Sequence, residues 1–149
     1  MVDWAGFAGV EPELTAIGAR LFRRGIAYLG TMSQTGAPRV HPVTPIFSAD
    51  SLLISVTDES HKRRDFDRDG RFALHALPGD DDEEFYLTGS VVRIDDAARK
   101  AAAHHDPIFT PRDNDPPFEL LIDVCLWSRW ENVGQPGTYP ARRVWKASA

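Results

Sequence analysis

Two stretches of this sequence hold residues that could do chemistry together. The first is Ser60-His61-Lys62-Arg63-Arg64, which reads as the start of a short helix over Ser60–Asp69, capped by Ser60 and stopped by Gly70. A helix N-terminus presents unpaired N–H groups and a partial positive charge, so it suits an anion. Cations in that first turn face the positive end of the helix dipole and are unfavourable for the helix itself. Three consecutive basic residues there ask for a compensating anion. A phosphate would accept a hydrogen bond from Ser60 and charge-assisted ones from Lys62 and an arginine. The plainer account is a solvated helix whose charges are relieved by Asp65 and Asp69. The second stretch is Arg39-Val40-His41-Pro42-Val43-Thr44-Pro45, which places two prolines in what reads as a strand. Proline removes a ladder donor, so such a strand belongs at a sheet edge or a bulge. Local rules of this kind fail most often at functional or strained positions.

Little else in the chain points to catalysis. Cys125 is the single cysteine, which excludes an internal disulfide and a cysteine zinc cluster. Its apolar surroundings fit a buried strand residue better than a nucleophile. His104 and His105 are adjacent, cannot share a helix face, and do not make a metal pair. His75 lies in an apolar strand and reads as a satisfied core histidine. Trp127 and Trp130 are three apart, so a regular strand turns them to opposite faces. No acid–base pair or nucleophile–base–acid triad stands out.

The elements that must position these residues are mostly strands. Glu11–Arg24 carries Leu14, Ile17, Leu21 and Phe22 at helical spacing, with Pro12 suited to the first turn and Gly25 to the stop. Ile26–Ser33, Arg39–Phe47 and Leu52–Thr57 follow as an antiparallel meander, separated by Gln34-Thr35-Gly36 and Ser48-Ala49-Asp50. Arg71–Leu77 and Phe85–Ile94 are the fourth and fifth strands, joined by Pro78–Glu84, an acidic loop expected to stay solvated. Asp95 or Asp96 caps an alanine-rich helix to about His104. Asp106–Pro117 is a proline-rich loop, Phe118–Glu131 a long sixth strand, Asn132–Ala141 a loop, and Arg143–Lys146 a last short strand. Many short strands with turn signals and few helices predict a small antiparallel barrel.

Composition sets the bounds. The chain has 149 residues, 42% apolar and 26% charged, which fits one globular domain over 1–149. The net charge of −5 argues against a dedicated nucleic-acid binder, whose affinity comes from neutralising phosphates. The N-terminus lacks a basic region followed by an apolar stretch, and no apolar run approaches the ~20 residues of a membrane span. A soluble cytoplasmic protein with no membrane or nucleic-acid partner is the expectation. The charges are also kept apart. His61–Arg71 holds five Lys/Arg against three Asp, while Asp80–Glu84 holds five acids.

Taken in order, the helix before Ile26, the strand Ile26–Ser33, the turn Gln34-Thr35-Gly36-Ala37-Pro38, Arg39-Val40-His41-Pro42-Val43, the strand Leu53–Thr57, Ser60-His61-Lys62-Arg63-Arg64-Asp65, Asp69-Gly70-Arg71-Phe72-Ala73-Leu74 and Leu87-Thr88-Gly89-Ser90-Val91 resemble the pyridoxamine 5'-phosphate oxidase-like flavin-binding split barrels. The resemblance covers about residues 14 to 94. It implies a mainly β, six-stranded antiparallel Greek-key barrel that forms a homodimer, with flavin mononucleotide (FMN) at the dimer interface. It implies Arg39 and Lys62 as phosphate-binding cations, Ser60 as a phosphate donor with His61 beside it, and Val40, His41, Pro42 and Val43 as a wall against the flavin ring. Backbone groups of Ser55 and Val56 are implied as partners of the ring's polar edge. Trp127 and Arg129 stand where a partner subunit reaches over the flavin. The implied activity is that of an oxidoreductase with a nicotinamide nucleotide or small organic partner. Thr44 stands where the vitamin-B6 oxidases carry a lysine, and their arginine- and histidine-bearing C-terminal motif is missing, which argues against vitamin B6 as substrate. A deazaflavin coenzyme taken up as a dissociable substrate is one alternative, with Arg63, Arg64 and Arg68 as a groove for its anionic tail. A flavin- or heme-binding module without turnover is the other.

Overall fold

The computed structural model describes residues 1–48, 50–103 and 115–148. Ala49 of the Ser48-Ala49-Asp50 turn, the His104-His105 pair and most of the Asp106–Pro117 loop lie outside the described residues.

The chain opens with two helices, α1 (Trp4–Val10) and α2 (Pro12–Phe22). Helix α1 was not legible in the sequence. It is seven residues long and carries two glycines, yet Asp3 caps it by accepting a hydrogen bond from Gly6 N at 2.7 Å, and Trp4 and Phe7 pin it to the core. Helix α2 starts with Pro12 at its first position and buries Leu14, Leu21 and Phe22 as the periodicity implies. It also buries Gly18, because the Phe85 ring lies where a side chain would stand: a Cβ at Gly18 would meet that ring at 2.5 Å.

Eight strands follow among the described residues, all paired antiparallel: β1 (Ala27–Met32), β2 (Pro38–Val43), β3 (Ile46–Ser48), β4 (Ser51–Ser55), β5 (Arg71–Ala76), β6 (Glu84–Arg93), β7 (Pro117–Glu131) and β8 (Tyr139–Lys146). Two features depart from the expected strands. Thr44-Pro45 breaks the Arg39–Phe47 segment into β2 and β3, and β8 is twice the expected length because it pairs with β7 from Lys146 back to Tyr139. Helix α3 (His61–Arg68) is inserted between β4 and β5, and α4 (Ala97–Ala103) between β6 and β7. Asp96 is the residue that caps α4, accepting from Arg99 N at 2.8 Å.

The strand order is β2-β1-β5-β6-β7-β4-β3. Its two ends, β2 and β3, are consecutive in sequence and joined by two residues only. Val43 and Ile46 can therefore be no further apart than about 11 Å. The sheet must curl until its edges nearly meet, leaving a seam between them. The prolines of Arg39–Pro45 lie at this seam, on an edge strand and at the crossing, where a missing donor costs nothing. Strand β7 holds the sheet together. It runs 15 residues and pairs with β6 from Phe118 to Ser128 along one edge, while the other edge takes β4 at Pro117–Glu119, an isolated bridge from Val2 at Ile122, and β8 from Val124 onward. The curled interior is apolar and includes Leu29, Leu52, Ile54, Leu74, Phe85 and Leu87, with Phe22 meeting Phe85 edge-on at 5.6 Å.

The acidic segment departs from the expectation. Residues Asp80–Asp82 form a single 3-10 turn, and Glu83 is buried, not solvated. Arg20 donates to both its carboxylate oxygens, at 2.8 and 2.7 Å, and Trp127 Nε1 donates at 3.0 Å. Burial pushes the Glu83 carboxyl up, but these hydrogen bonds and the charge of Arg20 outweigh it and hold the group below its ordinary value. Like charges in sequence thus part company, one turning inward to a cation on another element.

Candidate functional site

A cleft of about 270 Å³ opens at the seam. Ile26, Pro42, Val43 and Thr44 form one side, Ser55, Val56 and Thr57 the other, with Lys62 and Asp115 also lining it. Of the residues singled out in the sequence, the fold brings Pro42, Val43, Ser55, Val56 and Lys62 into this lining. Val43 and Val56 are buried, Pro42 is exposed, and the Ser55 hydroxyl donates to the backbone carbonyl of Asp115 at 3.4 Å. The lining thus mixes four apolar residues with Thr44, Ser55, Thr57, Lys62 and the buried Asp115, apolar contact with a few polar groups as in a small-molecule site.

Helix α3 supplies the charge. Ser60 is its N-cap, in extended conformation, and its hydroxyl oxygen accepts from Arg63 N at 3.2 Å. The hydroxyl proton remains available to a ligand. Phe66 anchors the helix against Phe118, with ring centroids 5.2 Å apart. The basic residues of this helix differ sharply in occupation. Arg63 is bonded to Asp58 and to Asp67, and Arg68 to Asp65 and to the carbonyl of Met32. Arg64 donates to the Glu59 carbonyl. Lys62 makes no ion pair or hydrogen bond among the described residues, although it is half-buried and faces the cleft. His61 beside it is exposed.

Asp65 is the residue that sequence reasoning undervalued. It is 1% exposed, and its carboxylate gathers three elements. Thr31 Oγ1 of β1 donates to Oδ2 at 2.8 Å, Arg39 Nη1 of β2 lies 3.3 Å from both oxygens, and Arg68 Nη2 donates to Oδ1 at 3.2 Å. Burial raises the carboxyl's pKa, but the hydrogen bonds from Thr31 and Arg68 and the charges of Arg39 and Arg68 more than offset that, so it lies below its ordinary 3.8. Arg39 is therefore already paired, 35% exposed and turned toward Asp65. A signal existed in the sequence. Asp65 sits beside Phe66, the one apolar anchor of its helix, and Thr31 shares a strand face with Ala27 and Leu29.

The remaining candidates fall outside the lining. On β2, alternation puts Arg39, His41 and Val43 on one face and Val40 and Pro42 on the other, with Val40 70% exposed. The four residues Val40–Val43 do not form one wall within a single chain. His41 Nε2 lies 3.3 Å from Thr31 Oγ1, and burial followed by the charge of Lys62 lowers its pKa. Trp127 and Arg129 lie on β7 with the Trp127 indole bonded to Glu83 and the Arg129 guanidinium 5.7 Å over the Trp127 ring. Cys125 is fully buried, and burial pushes its thiol up to about 12, as befits an inert strand residue. His75 is half-buried and hydrogen-bonded, Nε2 to Glu84 at 3.1 Å and Nδ1 to the Ala76 carbonyl. Among the described residues no group of three or more His, Cys, Asp or Glu could hold a metal ion, and no helix is long and apolar enough to cross a membrane.

No family model and no curated protein matches the sequence. Solved structures do. A heme binding protein from Mycobacterium smegmatis superposes with a TM-score of 0.65 at 19% identity over 86% of this chain, and the chain spans only 56% of that protein. A protein related to general stress protein 26, of the pyridoxinephosphate oxidase family, from Clostridium acetobutylicum superposes with a TM-score of 0.63 at 13% identity and covers 95% of both chains. The chain has the split-barrel fold. A NimC/NimA family protein from Clostridium acetobutylicum, at TM-score 0.62 and 16% identity over 87% of this chain and 93% of its own, shares the same barrel. In this split barrel the cleft lies where the barrel is split, between the β2 edge and the β3–β4 hairpin, and α3 delivers Lys62 to it.

Proposed function

We propose that the seam cleft binds FMN and that the protein is an FMN-dependent oxidoreductase acting on a small organic or nicotinamide substrate. The observation that carries the reading is Lys62, a half-buried cation with no partner among the described residues, beside a free hydroxyl proton on Ser60 and at the N-terminus of an eight-residue helix. Leaving a charge partly desolvated and unpaired is costly unless an anion completes it. Pro42, Val43 and Val56 offer apolar contact to a flat ring, and Ser55 and Val56 line the cleft where its polar edge would lie, although the Val56 N–H is already given to the Pro116 carbonyl. When bound, the flavin supplies the redox chemistry, and the chain's own residues hold and orient it.

The cleft of one chain, about 270 Å³, is small for a ligand of this size. A second copy completes it in this reading, covering the outer sheet face where Tyr28, Val40 and Val144 are exposed and bringing Trp127 and Arg129 to the ring. Two alternatives are weaker. A deazaflavin with a long anionic tail needs a free basic groove, yet Arg63 and Arg68 are ion-paired. Heme calls for an axial His, Cys, Met or Tyr, and none is among the described cleft-lining residues. The test is binding of FMN and riboflavin, followed by flavin fluorescence, to the wild type and to Lys62→Glu. Losing one charge-assisted contact of about 1.5–3 kcal/mol lowers affinity roughly 10- to 100-fold. FMN binding is expected to fall by at least that much while riboflavin binding stays within about threefold. Failure of the wild type to bind FMN, or equal losses for both ligands, overturns the reading.

A further inference from the structure

The seam cleft carries an acid as well as a cation. Strand β4 pairs with β7 in the register Leu53 with Glu119, Ile54 with Phe118 and Ser55 with Pro117. The Val56 N–H donates to the Pro116 carbonyl at 3.4 Å, which carries the pairing one residue further. The same register next sets Thr57 opposite Asp115. Alternate residues of a strand share a face, and opposed residues of an antiparallel pair lie on the same face. Ser55, Thr57 and Asp115 therefore stand on one face, and all three line the cleft. Asp115 is 9% exposed.

Two donors of this wall are spent on the same segment. The Ser55 hydroxyl goes to the Asp115 carbonyl and the Val56 N–H to the Pro116 carbonyl. These bonds hold Asp115 against the end of β4 and leave the wall with fewer donors to give. Its carboxylate adds acceptors, about four lone-pair sites, so a partner elsewhere does not exhaust it. Lys62 lines the same cleft of about 270 Å³, yet no ion pair joins it to Asp115. Two opposite charges that do not neutralise one another make separate demands on an occupant. A ligand that fills the cleft displaces water from both. Lys62 then calls for an anion and Asp115 for an N–H or O–H, because covering a carboxylate with an apolar edge or a second anion is costly.

We propose that Asp115 is the specificity-determining acceptor of the cleft, so that a ligand anchored by its phosphate on Lys62 must also present an N–H or O–H donor to the wall formed by Ser55, Thr57 and Asp115. The proposal rests on the reading of the cleft as an FMN site. FMN has donors of both kinds away from its phosphate, an imide N–H on the ring and hydroxyls on the ribityl chain. A ligand that brings an anion to both ends is rejected by the same residue, since a site built to accept a donor discriminates strongly against an analogue lacking it.

The test is titration by flavin fluorescence of the wild type, Asp115→Leu and Asp115→Asn with FMN, riboflavin and FMN methylated at the imide nitrogen, the folding of each variant being checked by circular dichroism. The sign of the effect decides. An acid that only lies near the ligand opposes its phosphate, and removing it tightens FMN binding. An acid that accepts from the ligand is missed when removed. Asp115→Leu is expected to weaken FMN binding roughly 10- to 100-fold, the loss of one hydrogen bond to a charged group. Riboflavin is expected to weaken by a similar factor, because the donor is not on the phosphate; Lys62→Glu spares riboflavin, so the two residues are separable. Asp115→Asn keeps an acceptor oxygen without the charge. It is expected to weaken both flavins about fivefold, and it decides the sign should Asp115→Leu not fold. A loss with the methylated flavin that is present in the wild type and absent in Asp115→Leu assigns the donor to the ring imide, and any other pattern with that flavin assigns it to the ribityl hydroxyls. Tighter or unchanged FMN binding by the folded variants, or a loss for FMN without one for riboflavin, overturns the proposal while leaving FMN binding itself established. Failure of the wild type to bind FMN overturns the underlying reading as well.

Discussion

Replacing Asp65 by asparagine tests how this split barrel ties its seam to α3. The carboxylate accepts from Thr31 at 2.8 Å, from Arg68 at 3.2 Å and from Arg39 at 3.3 Å. Asparagine keeps one acceptor oxygen and sets an amide N–H₂ against a guanidinium. A hydrogen bond to a charged group contributes about 1.5–3 kcal/mol. The buried Thr31 contact belongs near that range. The two arginines are 35% and 37% exposed, so water screens them and replaces part of what they lose, and together they contribute about 1 kcal/mol. Asp65→Asn is expected to destabilise the fold by about 2–3 kcal/mol at pH 7. For a chain of this length that lowers Tm by about 4–10 °C. The folded pKa of Asp65 is depressed, so its contribution is present above the ordinary 3.8 and is lost as pH falls through the lower folded value. The gap between wild type and Asp65→Asn should therefore be constant from pH 7 to about 5 and close below 3.8. Urea unfolding followed by tryptophan fluorescence, repeated across that range, measures it. A difference under about 0.5 kcal/mol at pH 7, or a gap that widens in acid, refutes the assignment of Asp65 as a buried, charged clamp.

Two other perturbations follow from contacts in the barrel. At Gly89, where the β6–β7 register shifts, a Cβ would lie 1.8 Å from the backbone oxygen of Leu121, so Gly89→Ala must displace backbone and is expected to cost about 3 kcal/mol or more by chemical denaturation. Cys125, with its thiol at about 12, is expected to resist an aromatic disulfide reagent at pH 8 in the native protein and to react fully once the chain is unfolded in guanidinium; rapid native labelling contradicts its burial.

Much of the fold was legible because it rests on local signals. The apolar stripe of α2, the Ser60 cap and the turn at Gly36, where φ is +81°, each follow from a few adjacent residues. Helix α1 was hidden because its glycines lower its intrinsic propensity and its stability comes from burying Trp4 and Phe7 against elements far along the chain. The length of β8 was hidden for a related reason. Its residues are largely exposed, and it forms because β7 offers a free edge from Val124 to Glu131. An edge strand is specified by its neighbour as much as by its own sequence.

The site shows the same division with a sharper consequence. Adjacency in sequence marked Ser60-His61-Lys62-Arg63-Arg64 as too basic for a helix start; in the fold Arg63 is taken up by Asp58 and Asp67, Arg64 donates to the Glu59 carbonyl, and Lys62 alone of the three has no ion pair or hydrogen bond among the described residues. What adjacency could not reveal is that Arg39 and Asp65, 26 residues apart, meet when β2 lies beside β1 and α3 packs on β1. That meeting changes the chemistry expected of the cleft. The family resemblance implies Arg39 and Lys62 together as phosphate-binding cations. Read from structure, Arg39 is a paired cation whose guanidinium is oriented by a buried carboxylate, and Lys62 lines the cleft with no ion pair among the described residues. The carboxylate that holds Arg39 also terminates the hydrogen-bond chain from His41. One residue, Asp65, therefore ties a hydroxyl of β1, a guanidinium of β2 and a guanidinium of its own helix to a single buried carboxylate.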